Sequence, residues 1–179
     1  MRLHILVAAG ALALSACDAV GSESTSADAT AAGAEARSAT AGADGLAAVR
    51  RATAQYQNVD RAVADGYGAV VVSECVEAPP GGMGYHYVNL GLMDGTVEAS
   101  APEVVLYEPQ KNGRLRLVAV EYIVPVADFD DPGPAPEPFG QTFHLSGAAG
   151  GWALHAWVWK HNPSGTFADF NPDVSCEYD

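Results

Sequence analysis

The sequence predicts an α+β fold, in which an N-terminal amphipathic helix packs on an antiparallel sheet of about five strands, with one disulfide. Three observations support this fold class. A helical apolar stripe comes first, a series of β-prone segments separated by turn residues follows, and two cysteines bracket those segments. The elements fall within residues 44–179, a normal length for a single domain with its own core.

The helix is expected to begin at Asp44, a good N-terminal capping residue, and to end at Gly66. Apolar or semi-polar residues recur at three- and four-residue steps, as one face of a helix requires: Leu46, Val49, Thr53, Tyr56, Val59 and Val63. The opposite face is polar and carries Arg50, Arg51, Gln57 and Arg61.

Five segments are rich in β-branched or aromatic residues and are predicted strands: Tyr67–Cys75, Tyr85–Leu90, Glu103–Glu108, Leu115–Val124 and Trp152–Lys160. Lys111-Asn112-Gly113 is typical of a hairpin turn. Two segments dense in Pro, Gly or acidic residues are predicted loops, Ala78–Gly84 and Val126–Gly140. The tail after Lys160 is punctuated by prolines and is expected to be irregular.

The first residues carry a targeting pattern. Arg2 is followed by an uncharged run of about 10 residues, which is too short to span a bilayer but suits a signal peptide. Leu14-Ser15-Ala16-Cys17 then resembles the lipobox of bacterial lipoproteins. The resemblance implies that residues 1–16 are removed and that Cys17 carries the lipid that anchors the protein to the cell envelope. Asp18 resembles the signal that keeps some lipoproteins in the inner membrane, which slightly favours that membrane over the outer one.

Residues 17–43 contain Ala, Ser, Gly, Thr, Asp and Glu without aromatic residues or periodicity, and are predicted to be a disordered linker behind the lipidated cysteine. The formal charge of −13 disfavours nucleic acid and anionic lipid headgroups as partners. With Cys17 taken by lipid, Cys75 and Cys176 are expected to form a disulfide in an exported protein. A two-thiolate metal site is the alternative, although no C-x-x-C spacing supports it.

Three residues are candidates for a polar centre: His86 after a Gly-rich segment, Glu121 in an apolar strand, and His155 beside tryptophans. A carboxylate on an apolar strand costs several kcal/mol unless it is paired, protonated or bound to a metal. Imidazoles and a carboxylate are ligands for divalent transition metals. His144 and His161 are further candidates.

Each candidate also has a purely structural explanation. His86 can satisfy a backbone carbonyl at a bulged strand entry, and Glu121 can form an ion pair or face solvent on an edge strand. Strand alternation places His155, Trp157 and Trp159 on one face, which can line a pocket or be plain core. Alternation also predicts that Glu121 shares its face with Leu117, Ala119 and Ile123.

Four segments resemble a family of uncharacterised exported bacterial proteins: residues 82–89, 102–109, 120–122 and 154–165. The resemblance spans about Leu46 to Cys176. It implies a shared domain and an interest in His86, Glu121 and His155, without an activity.

The leading hypothesis is a membrane-anchored lipoprotein that binds a small ligand or metal ion through a His/Glu centre. The first alternative is a metal-assisted hydrolase or oxygenase using that centre. The second is a structural or adhesive envelope protein that holds a partner protein and has no small-molecule site. The sequence contains no G-x-S-x-G, Walker or dinucleotide-binding motif.

Overall fold

The computed structural model describes residues 42–68 and 74–179. Within them, six strands form one antiparallel sheet that curls into a half-barrel, in the order β1-β2-β3-β4-β6-β5. The strands are β1 (Val76–Ala78), β2 (Gly81–Val88), β3 (Val104–Pro109), β4 (Leu115–Pro125), β5 (His144–Ser146) and β6 (Gly151–Ala156). The predicted antiparallel sheet is therefore confirmed.

Several expectations fall on residues outside the described ranges. These are the signal peptide, the lipidation of Cys17, the sorting role of Asp18 and nearly all of the linker. Most of the strand expected from Tyr67 to Cys75 also lies there, although Gly68 forms a bridge with Val88 at its beginning. No helix among the described residues is long and apolar enough to cross a membrane.

The sequence predicts one continuous helix from Asp44 to Gly66, but the helical region of the structure is interrupted. Residues 42–53 form helix α1, a 3-10 turn covers Ala54–Gln57, and helix α2 spans Val59–Ala64. Asp44 lies inside α1, so it is not the N-terminal cap. Thr53 is buried and its hydroxyl bonds back to the carbonyl of Val49 at 2.8 Å, a contact typical of a bent helix.

A new capping residue restarts the helix in a different phase. Asn58 has an extended backbone, and its side chain accepts a hydrogen bond from the amide of Asp60 at 3.0 Å. The expected stripe therefore holds only in part in α2: Val59 is half-buried and packs against the core, but Val63 does not. Ala62 is fully buried, whereas Val63 is 53% exposed.

The two faces of the sheet carry separate apolar clusters. Val49 and Ala62 of the helices lie in the first cluster, together with sheet residues that include Tyr107 and Tyr122. The second cluster is smaller and lies on the other face, with Val104, Leu106, Ala119 and Ile123 among its members. The candidate site residues lie beside this second cluster.

A bulge in β4 changes which residues share a face with Glu121. In the pairing with β3, Leu106 lies opposite Ala119 and Tyr107 opposite Leu117, so Val118 is an extra residue. Ala119 therefore belongs to the second cluster, as expected for the Glu121 face, whereas Leu117 belongs to the first. The expectation that Leu117 shares the face of Glu121 is wrong for this reason.

The Gly-rich segment expected to be a loop is instead a β-hairpin. β1 and β2 pair around Pro79 and Pro80, so only these two residues remain as the turn. The glycines allow other backbone to approach closely. A Cβ on Gly81 would lie 2.3 Å from the carbonyl oxygen of Asn171, and one on Gly84 would lie 2.4 Å from that of Tyr107.

The last strand ends earlier than expected, at Ala156 instead of Lys160. The amide of Trp157 bonds to the carbonyl of Thr166, and that of Trp159 bonds to Val118, so the chain leaves the strand geometry there. The prediction that His155, Trp157 and Trp159 share one face of the sheet is therefore wrong for Trp159. Trp157 lies in the second apolar cluster, whereas Trp159 packs against the first. The short strand β5, which carries His144, was not predicted.

The expected disulfide between Cys75 and Cys176 is present. It joins the residue before β1 to the C-terminal tail, 101 positions later. The tail also forms a bridge between Gly82 and Asn171, and Val174 accepts a second hydrogen bond from Gly82. The tail is thus held against the sheet at several points.

Candidate metal centre

Glu121 and His155 are direct neighbours across two central strands. Glu121 of β4 pairs with His155 of β6, and on its other side with Val104 of β3. His86 lies on β2, where Val88 pairs with the same Val104. Because residues two apart in a strand point to the same face, His86 projects toward Glu121 from the far side of β3.

The three side chains meet in a compact cluster. His86 Nε2 lies 3.8 Å from Glu121 Oε2, and His155 Nε2 lies 3.9 Å from Glu121 Oε1. One ligand atom from each residue lies within 4.8 Å of the other two. The two imidazole rings are nearly perpendicular, with centroids 6.1 Å apart. The carboxylate thus presents one oxygen to each imidazole.

All three residues are buried, with exposures of 7% for His86, 5% for Glu121 and 3% for His155. This burial and the central position of β4 exclude the alternative of a solvent-facing Glu121 on an edge strand. The backbone of Gly84 acts on His86 as a hydrogen-bond acceptor and raises its pKa against the larger, opposing effect of burial, in agreement with the structural explanation for this residue, although His86 Nδ1 has no partner of strict hydrogen-bond geometry among the described residues.

The cluster lacks the hydrogen bonds that its burial requires. His155 Nδ1 and Nε2 are buried without a hydrogen-bond partner among the described residues, as is His86 Nδ1. The separations of 3.8 and 3.9 Å from Glu121 are too long for hydrogen bonds. Buried polar groups are nearly always satisfied, and an unsatisfied one costs about 1–3 kcal/mol. Of the partnerless nitrogens, His155 Nε2 is the one that faces Glu121, so it is the one that a further species between the three side chains would satisfy; His155 Nδ1 faces Asp169 instead.

Burial and charge act differently on the two imidazoles. Burial lowers the pKa of His86, and the opposing attraction of Glu121 is too weak to reverse this. Burial also lowers the pKa of His155, but the negative charges of Glu121 and Asp169 outweigh it and leave that pKa raised. His86 is therefore suited to offer a neutral nitrogen, and His155 is the imidazole from which a cation would displace a proton.

Asp169 is a neighbour that the sequence analysis missed. Its Oδ1 lies 3.6 Å from His155 Nδ1 and 3.5 Å from His144 Nδ1. The His155 imidazole lowers the pKa of Asp169 more than partial burial raises it. A carboxylate on the outer nitrogen of a histidine is the usual means of orienting a metal-binding imidazole, so Asp169 supports His155 with Nε2 directed at the cluster.

The backbone around Asp169 is fixed from both sides. The indole nitrogen of Trp157 donates to the carbonyl of Ala168 at 2.6 Å, and the amide side chain of Asn162 donates to that of Phe170 at 3.0 Å. Both donors belong to residues that are almost fully buried. No local motif marks Asp169, because its role depends on how an irregular tail folds back over β6.

The remaining histidine candidates lie outside the cluster. His144 is half exposed and contacts the centre only through Asp169, as an outer partner. His161 is exposed, and its carbonyl accepts a hydrogen bond from the side chain of Asn171. The structure thus brings together three of the five predicted site residues and separates the other two.

The cluster lies at a cavity of about 160 Å³. The polar residues on its walls are the three cluster residues, His144 and Ser146. The other walls are formed by Val76, Met83, Val88, Met93, Val104, Ile123, Ala148 and Ala149. The centre is therefore accessible from one side through a mainly apolar space.

A second buried carboxyl group, Glu103, lies close to the centre. Glu103 is 1% exposed, and its Oε2 accepts a hydrogen bond from the amide of Ile123 at 3.1 Å. Burial raises the pKa of Glu103 to about 7, and the charges of Asp94 and Glu121 act in the same direction. The side chain does not line the cavity, so it is not a candidate ligand.

Comparisons with known proteins give no match to a family model, to a curated protein or to a solved structure.

Proposed function

We propose that this protein is a membrane-anchored, exported lipoprotein that binds one divalent transition metal ion through His86, Glu121 and His155. The observation that carries the proposal is the convergence of these buried side chains with ring nitrogens that lack partners. A cation between them would satisfy His155 Nε2, the partnerless nitrogen that faces Glu121, and would compensate the buried carboxylate.

The separations are compatible with an ion after a small contraction. Metal–nitrogen and metal–oxygen bonds of about 2.0–2.2 Å place tetrahedral ligands roughly 3.4 Å apart. The Glu121 oxygens lie 3.8 and 3.9 Å from the nearest imidazole nitrogens. The full set of ligand atoms lies within 4.8 Å, so an ion would draw the two imidazoles toward each other as well as toward Glu121.

The ligand set indicates the class of metal. Two imidazoles and one carboxylate suit zinc, iron, nickel or copper better than magnesium or calcium, which prefer oxygen ligands. Structural zinc sites usually have four protein ligands, whereas sites with three retain a position for another molecule. The cavity lies where such a position would face.

The proposed location follows from the lipobox resemblance. Lipid on Cys17 would anchor the chain in the envelope. The acidic charge of −13 is compatible with attraction of cations to the domain.

Metal titration of chelator-treated protein tests the proposal. We expect one Zn²⁺ or Co²⁺ per chain, measured by calorimetry, with an affinity reduced by more than about 100-fold in His86→Ala, His155→Ala and Glu121→Gln. His161→Ala is the matched control, because this exposed imidazole lies outside the cluster. Stoichiometric binding that survives all three site substitutions would contradict the proposal, as would an absence of binding in the wild type.

A metal-assisted hydrolase or oxygenase is the second candidate, because a three-ligand centre open to a cavity is the arrangement found in catalytic sites. Turnover that requires both the metal and an intact Glu121 would favour it. A structural or adhesive envelope protein is the weakest candidate. It would be favoured if the site substitutions changed neither metal binding nor stability.

A further inference from the structure

We propose that the cavity beside the centre binds a compact, mostly apolar organic anion, with its one terminal donor group on the metal ion. This inference rests on the proposed metal site and adds the chemical class of the molecule that the site recognises.

The cavity has few polar groups on its walls. They are the three residues of the centre, His86, Glu121 and His155, together with the half-exposed His144 and Ser146. The remaining walls are aliphatic or thioether side chains, such as Val88, Met83 and Met93. A molecule with several polar groups would leave most of them unpaired against these walls, which is unfavourable. One polar head group and an apolar body match the lining.

The volume limits the size of the apolar body. An apolar cavity of about 150 Å³ is sufficient for a benzene-sized molecule of six heavy atoms. The cavity here measures about 160 Å³, so it suits roughly six to eight heavy atoms, including the donor group. Longer molecules would have to extend out of the cavity into solvent.

The charge of the centre favours an anionic head group. A divalent ion bound by Glu121 and two neutral imidazoles retains a net positive charge. Asp169, which contributes the other nearby negative charge, contacts the outer side of His155 and does not line the cavity. A carboxylate on the open metal position would neutralise the remaining charge within the apolar space.

The experiment uses the full-length, Co²⁺-loaded protein and three straight-chain carboxylates: acetate, butyrate and hexanoate. Binding to the open position is measured by the change in the visible Co²⁺ spectrum. Each buried methylene contributes about 0.8 kcal/mol, or about fourfold in affinity, so hexanoate should bind at least tenfold more tightly than acetate. Octanoate should gain little more, because its end would lie outside the cavity.

A variant that fills the cavity provides a second readout. Ala149→Leu places extra volume at the cavity wall and should reduce the advantage of hexanoate over acetate to less than threefold, while Co²⁺ affinity stays the same. Ala64→Leu is the matched control, because Ala64 is an exposed position on α2, away from the cavity.

Failure of this inference is distinguishable from failure of the metal site. Protein that takes up no Co²⁺ overturns both proposals. Protein that takes up Co²⁺ but binds acetate and hexanoate with equal affinity overturns only the inference. The same holds if hexanoate binds equally well to the metal-free protein, because the donor group would then not contact the ion.

Discussion

Removal of the buried charge at Glu103 tests the electrostatic part of this structure. Glu103→Gln keeps the shape of the side chain and an oxygen that can accept the hydrogen bond from the Ile123 amide. Burial raises the folded-state pKa of Glu103 from its ordinary 4.5 to about 7, so the folded protein holds this proton more tightly than the unfolded chain does. The glutamine variant removes that titration.

The direction in which stability changes with pH follows from proton binding by the folded and unfolded states. Below about pH 4.5 the carboxyl group of Glu103 is mostly protonated in both the folded and the unfolded state, so folding buries no charge there. As the pH rises from 4.5 to about 7, the unfolded chain ionises first and the folded state loses relative stability. At about 1.4 kcal/mol per tenfold change in proton affinity, the full loss is about 3 kcal/mol above pH 7. Glu103→Gln should avoid this loss.

Urea unfolding of metal-free protein between pH 4.5 and 8, followed by tryptophan fluorescence, measures this effect. As the pH rises across this interval, the unfolding free energy of Glu103→Gln should increase relative to that of the wild type by up to about 3 kcal/mol. Glu98→Gln is the control substitution at an exposed glutamate. Parallel curves for wild type and Glu103→Gln would refute the assignment of a raised pKa.

Three further predictions concern the support and the location of the site. Asp169→Asn should reduce metal affinity by about 10–100-fold in calorimetry, with little change in stoichiometry, because the imidazole of His155 loses its orienting charge; an unchanged affinity would contradict the role of Asp169. Reduction of the Cys75–Cys176 bond should lower the unfolding free energy by up to about 4–5 kcal/mol, because the bond closes a loop of about 100 residues; two free thiols in unreduced, denatured protein would show that the bond is absent. Cys17→Ala should release the protein from membranes in cell fractionation, and a variant that stays membrane-bound after signal cleavage would refute lipid anchoring.

The sequence predicts those parts of the fold that depend on local pattern. The β-branched and aromatic content of β3 and β4 marks them as strands, and the pairing of cysteines follows from composition. Glu121 is conspicuous because its neighbours are apolar on both sides, so a buried carboxylate can be anticipated. These features require no knowledge of how distant segments meet.

The features that the sequence does not predict arise from contacts between distant segments. The position of Leu117 depends on a bulge set by its partner strand, and the early end of β6 depends on contacts with the tail. Asp169 becomes part of the site only because Trp157 and Asn162 fix the carbonyls on either side of it. The phase change at Asn58 shows that even a helix stripe can be redirected by one capping residue.

A crystal structure of the protein grown with Zn²⁺, with an anomalous difference map, tests the central claim most directly. The account predicts one strong peak within about 2.0–2.2 Å of His86 Nε2, His155 Nε2 and a carboxylate oxygen of Glu121. A map with only a water molecule between these side chains, or with the ion held elsewhere, such as at His144 and Asp169, would contradict the proposed metal centre.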